Sequence, residues 1–365
     1  MPGTLNSFFC RVATVTLLVS LHLGTRAADL QEFLGRLQSD TGATRAEAVA
    51  QAGAMGAAAV VPLGEIASAN KGNASIAALW ALRNIAAYAG RPGGTAAEKQ
   101  AVAQAFTQLL DVRFNKITRC QALDLLSITG DDQTVPRVVA VLSDSDPDLK
   151  DEARRCLEGT PGPASLKALT DALPQAEGRL RIAIINALGQ RGDMKAFDAL
   201  AAATSASDTE VVLAALDALA RIGMPAEYRD RIKAPDPESL KDAQRVRLGN
   251  TVLRWADRRA AAGATDEALE GYGLAVQIST AEHVLCAALI GAAKVSPEQT
   301  VEHALRALAH EQNTVRMTAA RVLEQMGADD SRIKALLGAY PGAKPETRDL
   351  ILRVLKTWND KHVTQ

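Results

Sequence analysis

A short hydrophobic pattern recurs along most of the chain, and this repetition constrains the fold more than any other feature. In the segment Arg181–Gly189, an aliphatic residue stands three positions after Arg181 and Leu188 stands seven positions after it. With position zero at the arginine, the same frame fits further segments that start at Arg45, Ser75, Arg119, Lys150, Val212, Glu282, Arg316 and Arg348. The zero positions 119, 150, 181 and 212 are each 31 residues apart, so the chain repeats one structural unit.

Each unit also contains a second amphipathic segment. Apolar residues recur there at steps of three and four, as in Val135, Val138 and Leu142, and this is the period of an α-helix. The turns between the segments agree, since Asp146 is a suitable N-cap and Pro147 fits the first helical position. Each unit is therefore predicted to be a helical hairpin that buries its apolar face by stacking on its neighbours.

The composition supports an all-α fold. The chain of 365 residues has 69 alanines but 13 aromatic residues (6 Phe, 4 Tyr and 3 Trp). Alanine favours helices that pack closely, whereas β-sandwiches and barrels need β-branched and aromatic side chains. The net charge is −1 and no run of basic residues stands out, so we expect no nucleic-acid partner.

The N-terminal residues have the pattern of an export signal. Residues 1–27 contain no Asp, Glu or Lys, and Arg11 precedes an apolar run from Val12 to Gly24. This run has the length of a signal-peptide core and is shorter than the ~20 residues that span a bilayer. Thr25-Arg26-Ala27 offers a cleavage site. We therefore expect a periplasmic or secreted chain without membrane insertion; an uncleaved anchor, a start-site artefact and a mitochondrial presequence are the alternatives.

Three segments of the repeat resemble HEAT repeats: Asp146-Pro147-Asp-Leu-Lys150, Leu180-Arg181…Ala187-Leu188-Gly189 and Val315-Arg316…Leu323. The short period is similar to that of bacterial HEAT-like repeats, including those of phycobilisome-lyase-type proteins. The resemblance covers about residues 40–230 and 280–358. It implies a right-handed α-solenoid, an armadillo/HEAT-like superhelix, whose usual role is protein binding. The arginine typical of the family is absent at Ser75, Val212 and Glu282.

The pattern divides the chain into five parts. These are a signal peptide (1–27), HEAT-like repeats (28–234), an irregular linker with a TPR-like hairpin (235–280), further HEAT-like repeats (281–359) and a tail (360–365). In the third part, small residues and one tyrosine are spaced as in a tetratricopeptide hairpin: Ala256, Gly263, Ala268, Tyr272 and Ala275. A degenerate HEAT-like pair is the alternative interpretation of this segment.

No catalytic, cofactor or metal motif is found in the sequence, and none is expected. Asp144, Asp146 and Asp148 alternate like the start of a calcium loop, but Leu149 stands where that loop needs glycine and Arg155 where it needs glutamate. Helix capping explains these acids. The frame arginines are expected to bond acids and carbonyls of the loops between repeats rather than a ligand.

The cysteines do not form a disulfide framework. Cys120, Cys156 and Cys286 are widely spaced and odd in number once the signal is removed. We expect free thiols, with Cys156 and Cys286 the best protected. His283 and Cys286 lie one helical turn apart, yet two ligands make a poor metal site.

One row of surface residues is the candidate partner-binding site. Position plus five of the frame lies away from the core positions plus three and plus seven. In HEAT arrays the second helix of each hairpin lines the concave side, which implies that this row faces a partner. The candidate residues, called here the plus-five row, are Trp80, Asp124, Arg155, Asn186, Asp217, Arg321 and Arg353. A merely solvated face is the alternative, and Trp80 could instead pack under the first repeats.

These features predict an exported, monomeric, non-enzymatic scaffold or adaptor that binds another protein through the concave helix face. A lyase-like enzyme or a chromophore-attachment chaperone of the phycobilisome-lyase type is the first alternative. A structural spacer without a specific partner is the second. The identity of the protein partner lies beyond the sequence.

Overall fold

A computed structural model describes residues 29–69 and 72–363, with side chains to residue 359. The predicted signal peptide, 1–27, lies outside the described residues. The chain divides into two compact units, Met1–Ala172 and Leu173–Gln365. Within the described ranges both units are built of helices joined by turns, without a β-strand.

The first unit contains nine helices over its described part. The helix that opens it, α1, covers residues 29–37. The others are α2 (Gly42–Met55), α3 (Ala57–Ser68), α4 (Gly72–Ala89), α5 (Ala96–Gln108), α6 (Lys116–Thr129), α7 (Val135–Val141), α8 (Pro147–Gly159) and α9 (Pro163–Ala172). Arg91-Pro-Gly-Gly94 forms the turn between α4 and α5, where Gly93 has a φ of +84°.

The second unit has the same alternation with one irregular stretch. Its α-helices are α10 (Gly178–Arg191), α11 (Phe197–Ala203), α12 (Thr209–Ile222), α13 (Asp242–Ala261), α14 (Thr265–Ile278), α15 (Glu282–Val295), α16 (Pro297–Ala307), α17 (Asn313–Met326), α18 (Asp330–Ala339) and α19 (Pro345–Val363). Short 3₁₀ turns occupy Leu173–Gln175, Met194–Ala196, Ala226–Arg231 and Pro237–Ser239.

Every zero position of the frame lies in a helix, and these frame helices pack on one another in order. In the first unit α2 contacts α4, α4 contacts α6, and α6 contacts α8. In the second unit α10 contacts α12, α15 contacts α17, and α17 contacts α19. The intervening helices, such as α3 and α5, form the other row. The chain therefore has the predicted all-α, HEAT/armadillo-like solenoid fold.

The plus-three and plus-seven side chains form the core, as the frame predicts. The plus-three residues with no more than 1% exposure are Ala48, Ala78, Ala122, Ala153, Ile184, Ala215, Ala319 and Ile351. The plus-seven residues with the same exposure are Ala52, Leu82, Leu126, Leu157, Leu188, Leu219 and Leu323. So many alanines at the contact positions let neighbouring frame helices approach closely.

The frame holds only in part in α15. The predicted plus-seven residue, Leu289, is buried, but the predicted plus-three residue, Leu285, is only half-buried. Val284 and Ala288, each one residue before these positions, are almost completely buried. The buried stripe of α15 therefore begins one residue earlier than the frame predicts and still includes position plus seven.

An extended segment takes the place of a helix between α12 and α13. This segment, residues 223–241 and called the strap, contains two of the short 3₁₀ turns. Helix α13 contacts α12 and α15 as a frame helix does, and α14 packs against both α13 and α15. The irregular region therefore begins before the predicted boundary at 235, while the relationship of α13 and α14 to TPR hairpins stays a prediction.

The acidic turn before α8 joins two repeats. Asp146 accepts a hydrogen bond from the backbone N–H of Asp148 at 2.9 Å and so caps α8, as predicted. Lys116 of α6 lies 2.8 Å from Asp146 and 2.5 Å from Asp148. Arg119 lies 2.7 Å from Asp144 and also donates to the Leu110 carbonyl. Two cations of α6 thus hold the acids that begin the next repeat.

We expect the pair of Arg119 and Asp144 to contribute stability that depends on pH. A backbone N–H of Asp146 and the guanidinium of Arg119 lower the pKa of the Asp144 carboxyl below its ordinary value of 3.8. Its contribution is therefore present above about pH 4 and is lost as the pH falls through the lower value of the folded state. Asp144→Asn should cost about 1–3 kcal/mol near pH 7, and the cost should shrink below about pH 3.

Urea unfolding of both proteins at a series of pH values measures this difference. Asp148→Asn is the matched control, because the side chain of Asp148 is 72% exposed and should change stability by no more than ~0.5 kcal/mol. A difference for Asp144→Asn that does not change with pH would contradict the assignment.

Candidate partner-binding surface

The structure places the plus-five row on seven different frame helices. The first unit carries Trp80 on α4, Asp124 on α6 and Arg155 on α8, and all three are exposed. The second unit carries the rest of the row: Asn186 on α10, Asp217 on α12, Arg321 on α17 and Arg353 on α19. Asn186, Arg321 and Arg353 are also exposed, and Asp217 is half-buried. Binding of a partner by these residues stays a prediction.

Trp80 presents its ring to solvent. The residue is 54% exposed, and the guanidinium of Arg83, one helical turn away, lies 5.5 Å from the ring centroid. The alternative in which Trp80 packs under the first repeats is therefore wrong. An exposed tryptophan with a cation beside it is a suitable anchor for a protein partner.

Ion pairs connect the row with the preceding frame helices. Arg83 of α4 lies 3.3 Å from Asp124 of α6, and Glu324 of α17 lies 2.8 Å from Arg353 of α19. Both pairs join position plus eight of one repeat to position plus five of the next. The pair of Arg83 and Asp124 is exposed, and such pairs contribute about 0–1 kcal/mol, so a partner could replace it at small cost. The Glu324 side chain, by contrast, is only 15% exposed.

Asp217 differs from the rest of the row because its carboxylate is held by neighbouring side chains. Arg221 lies 2.9 Å from one carboxylate oxygen, while Arg254 and Thr251 of α13 bond the other. The Asp217 side chain is 18% exposed. This carboxylate links α12 to α13, and it offers a partner less than the exposed members of the row do.

Three exposed isoleucines that the frame did not single out lie on the two helices that carry Trp80 and Asp124. Ile76 lies one turn before Trp80 on α4, and Ile117 and Ile128 lie on the α6 stripe that carries Asp124. They are 55%, 61% and 60% exposed. These four residues, Ile76, Trp80, Ile117 and Ile128, are called the Ile–Trp patch. The sequence could have indicated these residues, because isoleucine stands there at helical positions that face solvent and are ordinarily polar.

The frame arginines bond loop groups, as predicted. Arg45 donates to the Ser39 carbonyl at 2.5 Å. Arg316 donates to the carbonyls of His310 and Glu311, and Arg348 to those of Tyr340 and Pro341. Each arginine thus ties its helix to the turn before it. For Arg181, whose Nε atom is buried, no hydrogen bond of that atom occurs among the described residues.

The three cysteines among the described residues, Cys120, Cys156 and Cys286, are free thiols, as predicted. Cys156 is 1% exposed, and burial raises the pKa of its thiol to about 12. Cys120 and Cys286 are half-buried. The expectation that Cys286 is well protected is wrong, because this side chain is only half-buried.

Alkylation should therefore separate Cys156 from Cys286. The nucleophile is the thiolate, and a raised pKa together with burial suppresses it. At about pH 8 we expect iodoacetamide to modify Cys286 at least ~100-fold faster than Cys156, followed residue by residue with peptide mass spectrometry. Equal modification rates of the two thiols in the native protein would contradict the burial of Cys156. In urea, where the chain is unfolded, the two rates should become equal, which is the control.

The described residues contain no group of three or more His, Cys, Asp or Glu side chains arranged to hold a metal ion. None of the helices in the same ranges has the length and apolar character needed to cross a bilayer.

The chain is similar to several solved structures. A structure of Kap95p binding to RanGDP has a TM-score of 0.52 at 12% identity, covering 92% of this chain and 52% of that chain. An engineered protein has a TM-score of 0.39 at 19% identity, covering 91% and 99%. The CpcE–CpcF complex of phycocyanin lyase from Nostoc has a TM-score of 0.31 at 19% identity, covering 62% and 94%. No curated protein sequence matches the chain significantly.

One part of the sequence also matches a protein-family model. Residues 166–230 match the model described as HEAT repeats, and these residues include α10 and α12, whose frame is the most regular. The likeness to Kap95p shows the same fold over most of the chain. Residues 166–230 are therefore HEAT repeats, and the chain as a whole has the HEAT/armadillo-like solenoid fold.

Proposed function

We propose that this chain is an exported, non-enzymatic HEAT-repeat scaffold or adaptor that binds another protein through the face of its frame helices. The Ile–Trp patch is the observation that carries the proposal. Soluble chains rarely expose several large apolar side chains on neighbouring helices unless a partner covers them. Tryptophan is also among the residues that contribute most binding energy at protein interfaces.

The charges around the patch fit the anatomy of a protein interface. The ion pair of Arg83 and Asp124 lies between the α4 and α6 stripes. On the next frame helix, Arg155 lies 3.2 Å from Asp151 and 3.4 Å from Glu152. Exposed apolar side chains together with polar, solvated residues are the usual composition of such interfaces.

Two further observations support parts of the proposal. Kap95p, with which this chain shares its fold, binds RanGDP, which supports a protein as the class of partner. The acids of the turn before α8 are bonded to Lys116 and Arg119, which supports a structural rather than a catalytic role for them. Export rests on the sequence of residues 1–27 alone.

Trp80→Ala should weaken partner capture while leaving the fold intact. Truncation of a tryptophan anchor costs about 2 kcal/mol or more, so we expect at least ~30-fold weaker binding. Because the side chain is exposed, stability should change by no more than ~0.5 kcal/mol. The measurement is capture from an envelope extract, followed by titration of the captured protein against purified chain.

Leu337→Ala is the matched control, since Leu337 is also 54% exposed but lies on α18, outside the frame helices. The double variant Arg155→Ala, Arg321→Ala tests the charged part of the row and should weaken capture with a retained helical signal. Full capture by both Trp80→Ala and the double variant would rule out this face. Unfolding by the double variant would show that the row is structural.

Export is tested separately by fractionating cells and sequencing the N-terminus of the purified protein. We expect the protein in the envelope or the medium, with a chain that begins at Ala28. A cytoplasmic protein that retains residues 1–27 would contradict this part of the proposal without affecting the binding face.

A further inference from the structure

A cavity lies beneath the strap in the second unit. Its volume is about 280 Å³, and its walls come from α12, α13, α14 and the strap. The main apolar wall residues are Leu216, Leu248, Val252, Trp255, Leu274 and Ile278. Leu274 is 40% exposed, so the cavity opens to solvent beside this residue.

The strap itself occupies the place of the missing helix and is fixed at both sides. Arg229 forms a two-pronged ion pair with Glu270 of α14, and Arg231 lies 2.6 Å from Asp198 of α11. These ion pairs hold the strap over the cavity, and the enclosed space suits a small molecule.

The polar groups around the cavity are already bonded. The indole Nε1 of Trp255 donates to the Met224 carbonyl at 2.7 Å. The hydroxyl of Thr251 donates to Asp217 at 3.4 Å, and the charges of Arg229 and Glu270 neutralise each other. The walls thus offer apolar contacts without an unpaired charge, which disfavours a charged ligand.

We propose that this cavity binds one uncharged, mostly hydrocarbon molecule of about ten non-hydrogen atoms. The size follows from a comparison: an apolar cavity of ~150 Å³ holds one benzene molecule, whose ring has six carbons. The binding energy comes from dispersion contacts that the empty walls lack. This site is separate from the Ile–Trp patch, and it goes beyond the scaffold function.

1-Bromononane is a suitable probe because it is uncharged, has ten non-hydrogen atoms and quenches tryptophan fluorescence on contact. The wild-type protein should show saturable quenching with one bound molecule. Trp255→Phe should remove most of this quenching. Val252→Phe adds a ring to the cavity wall and should weaken binding at least ~10-fold. Val276→Phe, the same change at a 44% exposed site of α14 outside the cavity, is the matched control and should bind as wild type does.

Several outcomes would overturn the proposal. Quenching that rises in proportion to probe concentration without saturation would show partition onto the surface. Unchanged binding in a folded Val252→Phe protein would place the probe elsewhere. If Val252→Phe does not fold, Ala234→Leu, which narrows the cavity from the exposed strap, replaces it with the same expected loss. Equal or tighter binding of 9-bromononanoate would overturn the assignment of an uncharged ligand.

Discussion

Replacing Trp358 with alanine should lower the free energy of unfolding of the last hairpin by about 3–5 kcal/mol. Trp358 lies on α19 and is 2% exposed, in a cluster with Leu323, Leu336 and Val354. Its indole N–H donates to the Leu323 carbonyl at 3.2 Å. The substitution therefore removes the largest buried side chain of this cluster, leaves a cavity, and takes away a hydrogen-bond donor from a frame helix.

Leu352→Ala is the control on the same helix, because Leu352 is 50% exposed and should change stability by no more than ~0.5 kcal/mol. Urea unfolding followed by circular dichroism measures both variants, and hydrogen exchange locates the loss. We expect exchange to rise first in α17 and α19 for Trp358→Ala. Equal stability of the two variants would show that the core position of Trp358 is wrong.

Burial could be predicted from the sequence wherever the repeat is regular. A period of 31 residues brings equivalent helices together, so an aliphatic residue at plus three or plus seven meets its counterparts in the neighbouring repeats. Ala122, Ile184 and Leu188 are buried for this reason. The repeat alone is enough to predict this burial, because stacking brings equivalent positions to the same interface.

The buried stripe of α15 and the path of the strap could not be predicted in the same way. In α15 both Val284 and Leu285 are aliphatic, so the hydrophobic pattern alone does not decide which of them is buried. In the strap, Pro235 and Pro237 indicate a break. They do not indicate that the chain crosses over Trp255, since that depends on ion pairs to α11 and α14.

For the candidate site, too, the exposure of the side chains could be predicted from the sequence, whereas their bonding partners could not. Exposure of the plus-five row follows from helix geometry, because residues that point away from the core face solvent. The partners of these side chains belong to other helices. Asp217 is held by Arg254 of α13, a helix outside the frame, so no count along the repeat could show that this carboxylate is bonded.

Leu188→Ala should destabilise the second unit by about 2–5 kcal/mol. Leu188 on α10 is completely buried, and the surroundings leave little room for relaxation. A Cβ atom added at the next residue, Gly189, would lie 2.8 Å from the Cα atom of Ala218 on α12. Because α10 and α12 already approach this closely, the space left by the leucine cannot collapse, and we expect the upper half of that range.

The loss should also be local. In a solenoid each repeat contacts only its neighbours, so hydrogen exchange in Leu188→Ala should rise in α10 and α12 before it rises in α17 and α19. Leu323→Ala on α17, which is equally buried, is the matched control and should reverse this order. Uniform exchange across the second unit in both variants would contradict local unfolding, since it would mean that the repeats unfold as one cooperative body rather than pair by pair.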